Sequence, residues 1–235
     1  MLLPQRGRAM AQKATQPNLI LSRLSSDDLR LLQPHLKPAD LPLRKVLEQR
    51  GKVIKTIYFP ESGFASVVAN GDERPIEVGL IGREGMTGIA VVLGHDRNSN
   101  EVYMQAPGQG HCIPVNELRT AINKSVTLHR SFLRYAHAFL EQATRTAVAN
   151  GRSKIEERLA RWLLMADDRL DGPELPLTHE FLAMMLGVRR PGVTIAVQEL
   201  EREGVIARKR GRIVITDRKA LKKLSNGTYA PADYR

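Results

Sequence analysis

Residues 177–215 read LTHEFLAMMLGVRRPGVTIAVQELEREGVIARKRGRIVI, and this stretch decides the fold. Two short helical patterns meet at Gly187, and a basic hairpin follows. Thr178 precedes Glu180 and the apolar residues Phe181, Leu182, Met185 and Leu186 at helical spacing. A hydroxyl in that place caps a helix by accepting bonds from backbone N–H groups that lack an intrahelical partner. Gly187 permits the tight turn that ends the first helix. Pro191 suits the first turn of a second helix, where its missing N–H costs nothing. Val193, Val197 and Leu200 line one face of that helix and leave Ile195 and Gln198 to point elsewhere. The pattern predicts a helix-turn-helix whose second helix can enter a DNA major groove. Val205-Ile206 and Ile213–Ile215 flank ARKRGR as a β-hairpin wing.

Charge supports that reading. The chain carries a formal +11, and Val188–Lys223 holds eleven Lys or Arg against four acids, a net +7. Such a patch supplies the salt-sensitive part of DNA affinity by releasing counterions. Arg189 and Arg190 stand at the start of the second helix, where an Arg can pair two N–H groups with O6 and N7 of guanine. Gly192 allows close backbone approach, Thr194 and Gln198 can reach a base or a phosphate, and Ile195 can meet a thymine methyl. Arg208, Lys209, Arg210 and Arg212 on the wing suit phosphates, as does the Thr178 hydroxyl.

Composition excludes other classes. Hydrophobic and charged fractions of 42% and 26% are those of a soluble globular protein. The apolar runs are shorter than the roughly 20 residues a membrane helix needs, and a cytoplasmic location is expected. One cysteine, Cys112, excludes an intramolecular disulfide and any multi-cysteine metal or cluster site. Paired carboxylates, a nucleophile elbow, a P-loop and metal-ligand spacing are lacking, so no enzyme is expected.

Upstream, the period changes twice. Residues 1–17 read as a polar arm and 18–37 as one or two short helices. From about Leu43 to Ile113, short β-branched and aromatic segments alternate with turn signals, among them Asn70-Gly71 as a hairpin tip. They predict an antiparallel barrel or jelly roll, bounded with its flanking helices at 18–124. Gly82–Asn100 breaks the pattern with a Gly-rich loop and a short helix: a phosphate cradle or a tight barrel corner. From Ser125 to about Asn150 a long helix carries two apolar lines. Leu128, Phe132, Tyr135 and Phe139 are assigned to a dimer interface; Leu133, Ala136, Leu140, Ala143 and Ala147 form the second line. Asn150-Gly151 reads as a hinge, 151–235 as the winged helix-turn-helix unit, and the tail after Ser225 as loose. The fold class is therefore α+β.

This order of parts, over about residues 20–220, resembles the Crp–Fnr family of bacterial transcription regulators. The motifs that carry the resemblance are LTHEFLAMMLGVRRPGVTIAVQELEREGVI, the RKRGRIVI wing and the YFPESG turn. The resemblance implies a cyclic-nucleotide-binding-like β-barrel, a dimerisation helix, a homodimer on near-palindromic double-stranded DNA, and contact with RNA polymerase. It makes Arg190 the guanine-reading arginine. Pro191 stands where the family usually has an acid, and Ile195 where the cyclic-AMP receptor has another base-contacting arginine, so the operator is expected to differ. In the effector loop, Ile89 stands at the family's ribose-binding Glu and Asn100 at its clamp Arg. Cyclic AMP is therefore disfavoured and no cofactor is assigned. A small-molecule effector is placed among Glu77, Gly85, Met86, Thr87, Gly88, Arg97 and Asn100. A haem sensor, with His95, His111 or Cys112 as axial ligand, is the less favoured alternative.

Overall fold

In the computed structural model, residues 17–70, 75–172 and 174–231 are described. The arm at 1–16 and the Gly71 side of the hairpin tip lie outside them. Side-chain caps start the first helices. Asn18 Oδ1 accepts from the N–H groups of Ile20 and Leu21 to open α1 (Leu19–Ser22), and Ser25 Oγ accepts from Asp28 to open α2 (Ser26–Leu32).

The strands then follow as β1 (Lys37–Leu41), β2 (Val46–Glu48), β3 (Thr56–Pro60), β4 (Phe64–Asn70) and β5 (Pro75–Ile81), with β6 (Glu101–Ala106) and β7 (Gly108–Pro114) after the one-turn α3 (Ile89–Val92). They form two antiparallel sheets, ordered β1-β7-β3 and β2-β6-β4-β5. Alternation decides which side chains go inward: on β6, Val102, Met104 and Ala106 are buried while Glu101, Tyr103 and Gln105 are half-buried. Leu41, Ala65, Val67, Ile81 and Met104 form one core of this unit; Ile57, Phe59, Met86, Ile113 and Leu118 belong to a second, shared with the helices.

α4 (Val115–Lys124) leads into α5 (Val126–Arg152), capped by Ser125, whose Oγ accepts from Leu128 N–H at 3.1 Å. The expected break at Asn150-Gly151 is absent. The helix runs through both residues and ends where Ser153 N–H closes on Ala149 O. Leu128, Phe132 and Tyr135, assigned to a dimer interface, are buried in the chain's own core. Phe139 packs on Gly79 of β5, where a Cβ would lie 2.9 Å from its ring. The outer face instead presents Val126, Leu133 and Leu140, which are 66%, 37% and 63% exposed, with Ala147 also exposed.

The C-terminal unit comprises α6 (Ile155–Asp167), β8 (Glu174–Leu175), α7 (His179–Leu186), α8 (Arg190–Arg202), β9 (Ile206–Lys209), β10 (Arg212–Ile215) and α9 (Arg218–Leu224). β8 makes the wing a three-stranded sheet, ordered β8-β10-β9. The tail is not loose as far as it is described. Thr228 and Tyr229 are buried, Thr228 O accepts from Arg161, and the Tyr229 hydroxyl bonds Asp168. This unit's core also takes in Phe64, Leu80 and Ala106 from the sheet β2-β6-β4-β5. Among the described residues no helix is long and apolar enough to cross a membrane.

Candidate nucleic-acid interface

The two helices of the turn are fixed by local chemistry. Thr178 Oγ1 accepts from Phe181 N–H at 3.2 Å, and Gly187 closes α7 at φ 62°, a left-handed conformation that favours glycine. α8 has Arg189 as its extended N-cap, Arg190 as its first residue and Pro191 in its first turn. Val193, Ala196, Val197 and Leu200 face the core. Arg189, Arg190, Ile195 and Gln198 are exposed, Ile195 by 66%, and Thr194 is half-exposed.

An exposed isoleucine on an otherwise polar helix face has no packing reason in this chain. The arginines, Ile195 and Gln198 are exposed over about two and a half turns from the start of α8. Thr194 is held in place: its hydroxyl lies 3.0 Å from His179 Nδ1 and 3.2 Å from Arg190 O. A Cβ at Gly192 would stand 3.1 Å from Ile155 Cδ1 of α6, a close but yielding contact.

The basic groups are paired with acids on neighbouring elements. Arg190 Nη1 lies 3.2 Å from Glu180 Oε1. Arg208 bonds Glu201 through Nε at 2.6 Å, and Lys209 Nζ lies 2.7 Å from Glu174 Oε1, with Arg212 on Oε2 of the same carboxylate. Glu174 is held below the usual carboxylate range by the bonds from Lys209 and Arg212, and Glu201 by those from Arg208. All these pairs are solvent-exposed, so they orient the cations at little energetic cost to release. Arg210 is exposed at the wing tip beside Gly211. Sequence reasoning missed the acids Glu174, Glu180 and Glu201, because their partners lie up to 38 residues away.

The residues assigned to an effector pocket are bonded to separate partners within the chain. Met86 and Thr87 are buried, and Thr87 Oγ1 accepts from Tyr58 N–H at 2.9 Å. Gly85 lies under Tyr135, where a Cβ would be 2.3 Å from the hydroxyl oxygen. Arg97 is on the surface, bonded to Gly51 O, and Asn100 N–H bonds Asn98 Oδ1. Glu77 lies elsewhere, under α6 and α7. The Gly-rich loop is held by bonds within the chain. Gly88, at φ 78°, donates its N–H to Glu48 Oε1 at 2.6 Å, and Asn98 Nδ2 donates to Glu48 Oε2 at 2.7 Å. A buried carboxylate of the chain thus bridges the Gly88 backbone and the Asn98 side chain. Burial pushes the Glu48 carboxyl up from its ordinary value. An open cleft of about 420 Å³ lies beside it, lined by Glu48, Lys52, Lys55, Thr56 and Tyr58. The candidate haem ligands are dispersed: His95 is exposed, His111 pairs with Glu61 at 3.0 Å, and Cys112 follows on the opposite face of β7.

Residues 157–224 match the sequence model of the Crp-like helix-turn-helix domain. A search of curated protein sequences found no match. Among solved structures, the chain is similar to FixK2 from Bradyrhizobium japonicum, at 17% identity and a TM-score of 0.67 over 80% of this chain and 96% of that one. It is similar to a CRP/FNR-family transcriptional regulator from Thermus thermophilus, at 22% identity and a TM-score of 0.65 over 82% and 100%. The c-di-GMP-responsive global regulator CLP of Xanthomonas campestris gives 18% identity and a TM-score of 0.63 over 81% and 99%. The chain therefore carries a Crp-like helix-turn-helix domain on the fold of the Crp/Fnr-type transcription regulators.

Proposed function

We propose that this protein is a dimeric, sequence-specific DNA-binding regulator that inserts α8 into the major groove. The observation that carries the reading is the outer face of α8: Arg189, Arg190, Ile195 and Gln198 exposed along about its first two and a half turns, with a basic wing beside it. Arg190 is the main guanine contact, Ile195 meets a thymine methyl, and Arg208, Lys209, Arg210 and Arg212 hold phosphates. Thr178 adds a hydroxyl at the backbone.

The exposed members of the second apolar line of α5, Leu133, Leu140 and Ala147, support the dimer together with Val126, while Ala136 of that line is buried. Val126, Leu133, Leu140 and Ala147 recur every seven residues and are all exposed. A seven-residue apolar repeat is the seam of a paired helix, and two copies in register place two α8 helices for a near-palindromic site.

Glu48 supports an effector other than cyclic AMP. Its carboxylate fills the Gly88 and Asn98 donors and repels a cyclic phosphate there. A small metabolite in the cleft beside Lys52 and Lys55 is the alternative reading, and it requires an effector for switching. Selection of bound sites from random duplexes tests the main proposal. A two-fold symmetric consensus is expected, and a sequence-independent pool would overturn the reading.

A further inference from the structure

Two buried carboxylates lie where the winged-helix unit sits on the β-unit, and they are treated differently. Glu84, in the loop after β5, is ion-paired: Arg169 reaches it with Nε at 2.8 Å and Nη2 at 2.6 Å. Glu77, on β5, is 5% exposed and has no such cation. Its Oε1 accepts from Trp162 Nε1 of α6 at 2.6 Å, and its Oε2 from Ser66 Oγ of β4 at 2.6 Å. Among the described residues no Lys, Arg or His lies within ion-pair distance of it.

The cations on the elements packed around Glu77 make their side-chain hydrogen bonds to other groups, Arg158 keeping a buried Nε without one. α6 contributes Arg158, Arg161 and Arg169. Arg161 spends its donors on Thr228 O, Thr146 Oγ1 and Gln142 O, Arg158 bonds Leu186 O, and Arg169 bonds Glu84. β6 contributes Tyr103 and the carboxylate Glu101, which lies across Val68 of β4 from Glu77, and α5 only the uncharged Thr146, Ala149 and Asn150. α7 contributes Met185 and Leu186, also uncharged. Trp162 meanwhile packs edge-on against Phe64 of β4 at 6.2 Å and Phe181 of α7 at 5.5 Å. The indole therefore touches three elements, and its one polar atom ends on Glu77.

We propose that Glu77 is a proton-coupled latch: the winged-helix unit sits more firmly on the sheet when Glu77 is protonated, and loosens when the carboxylate ionises. The geometry accommodates the proton. Ser66 Oγ lies 3.7 Å from Met185 Sδ, so its hydroxyl can turn toward the sulfur of α7 and accept from a protonated Oε2. Oε1 continues to accept from Trp162. The proton comes from solvent and no other bond is made or broken.

The direction of the effect follows from burial. Desolvation pushes the Glu77 carboxyl up to about 7, against the bonds from Ser66 and Trp162 and the fields of Arg161 and Arg169. With the unit lifted away, Glu77 faces water and returns to the ordinary carboxylate range. The docked state thus holds the extra proton between that range and about 7. Docking is strongest at the acidic end of the window and weakens as pH rises through 7.

Trp162 is the chain's sole tryptophan, so it reports on this contact alone. The test is acrylamide quenching of the full-length protein from about pH 5 to about pH 8.5. Trp162 is expected to be shielded at the acidic end and several-fold more quenchable at the alkaline end, with a midpoint near 7. Glu77→Gln keeps an acceptor for Trp162 and carries no charge, so it is expected to stay shielded throughout. Ser66→Ala removes a bond that favours the carboxylate, so its midpoint is expected to move to higher pH. A flat wild-type profile overturns the proposal, as does a Glu77→Gln profile that titrates like wild type. If Glu77→Gln does not fold, an unmoved midpoint in Ser66→Ala overturns it instead.

Discussion

Arg190 Nη1 rests 3.2 Å from Glu180 Oε1, so the first residue of α8 is paired across the turn with the first turn of α7. Both side chains are more than 60% exposed, and such a pair holds its Arg with a bond worth at most about 1 kcal/mol. A guanine edge offers Arg190 two acceptors in place of one, so the exchange favours DNA.

Replacing Arg190 by Ala should accordingly cost about 1–3 kcal/mol on the selected site and little on scrambled duplex. Fluorescence anisotropy with both duplexes at one salt concentration checks this. Equal losses on the two would show that Arg190 holds phosphate and reads no base.

Glu174 restrains two wing cations at once. In Glu174→Gln, Lys209 and Arg212 lose their carboxylate and are free for phosphate. Non-specific affinity should rise, and the slope of log K against log salt should steepen by about 0.9 for each added phosphate contact. Because Glu174 is held below the usual carboxylate range, the difference from wild type should persist throughout the neutral range.

The two faces of α5 should separate by experiment. Phe132 is fully buried, and Phe132→Ala should cost about 3–5 kcal/mol of stability in denaturant unfolding. Leu133→Glu with Leu140→Glu changes exposed positions and should leave unfolding nearly unchanged. Sedimentation analysis should show that double variant as a monomer.

Deleting the chain from Asn226 removes the Thr228 carbonyl that accepts from buried Arg161, and the Tyr229 hydroxyl that bonds Asp168. A buried donor left without its acceptor costs about 1–3 kcal/mol. The truncated protein should melt earlier, by an amount that Tyr229→Phe reproduces only in part.

The parts legible in the sequence were those written in adjacent residues. Thr178, Gly187 and Pro191 announce helix ends through their own backbone chemistry, and the structure puts the ends there. The helix-turn-helix, the wing and the strand-rich unit were readable for that reason. α5 was harder, because both apolar lines have the same kind of spacing. Spacing cannot say which of them meets the chain's own strands, and the bulkier aromatics proved to be the inward ones. Glu77 was misplaced for a related reason: alternation along β5 sends it to a face, but only the distant Trp162 shows what covers that face. The tail after Ser225 carries no periodic signal, and its partners Arg161 and Asp168 lie about 60 residues upstream.

The core that joins Phe64, Leu80 and Ala106 of the sheet to Trp162, Met185 and Leu186 has a practical corollary. The helix-turn-helix half is not an interchangeable module. A chimera that grafts residues 154–231 onto a foreign sensor would leave an apolar seat without its complement, and so would a fragment cut at Ser153. Transplanted DNA specificity should therefore be sought by exchanging the few outward residues of α8 and the wing, keeping the inner faces of α6 and α7 as they are.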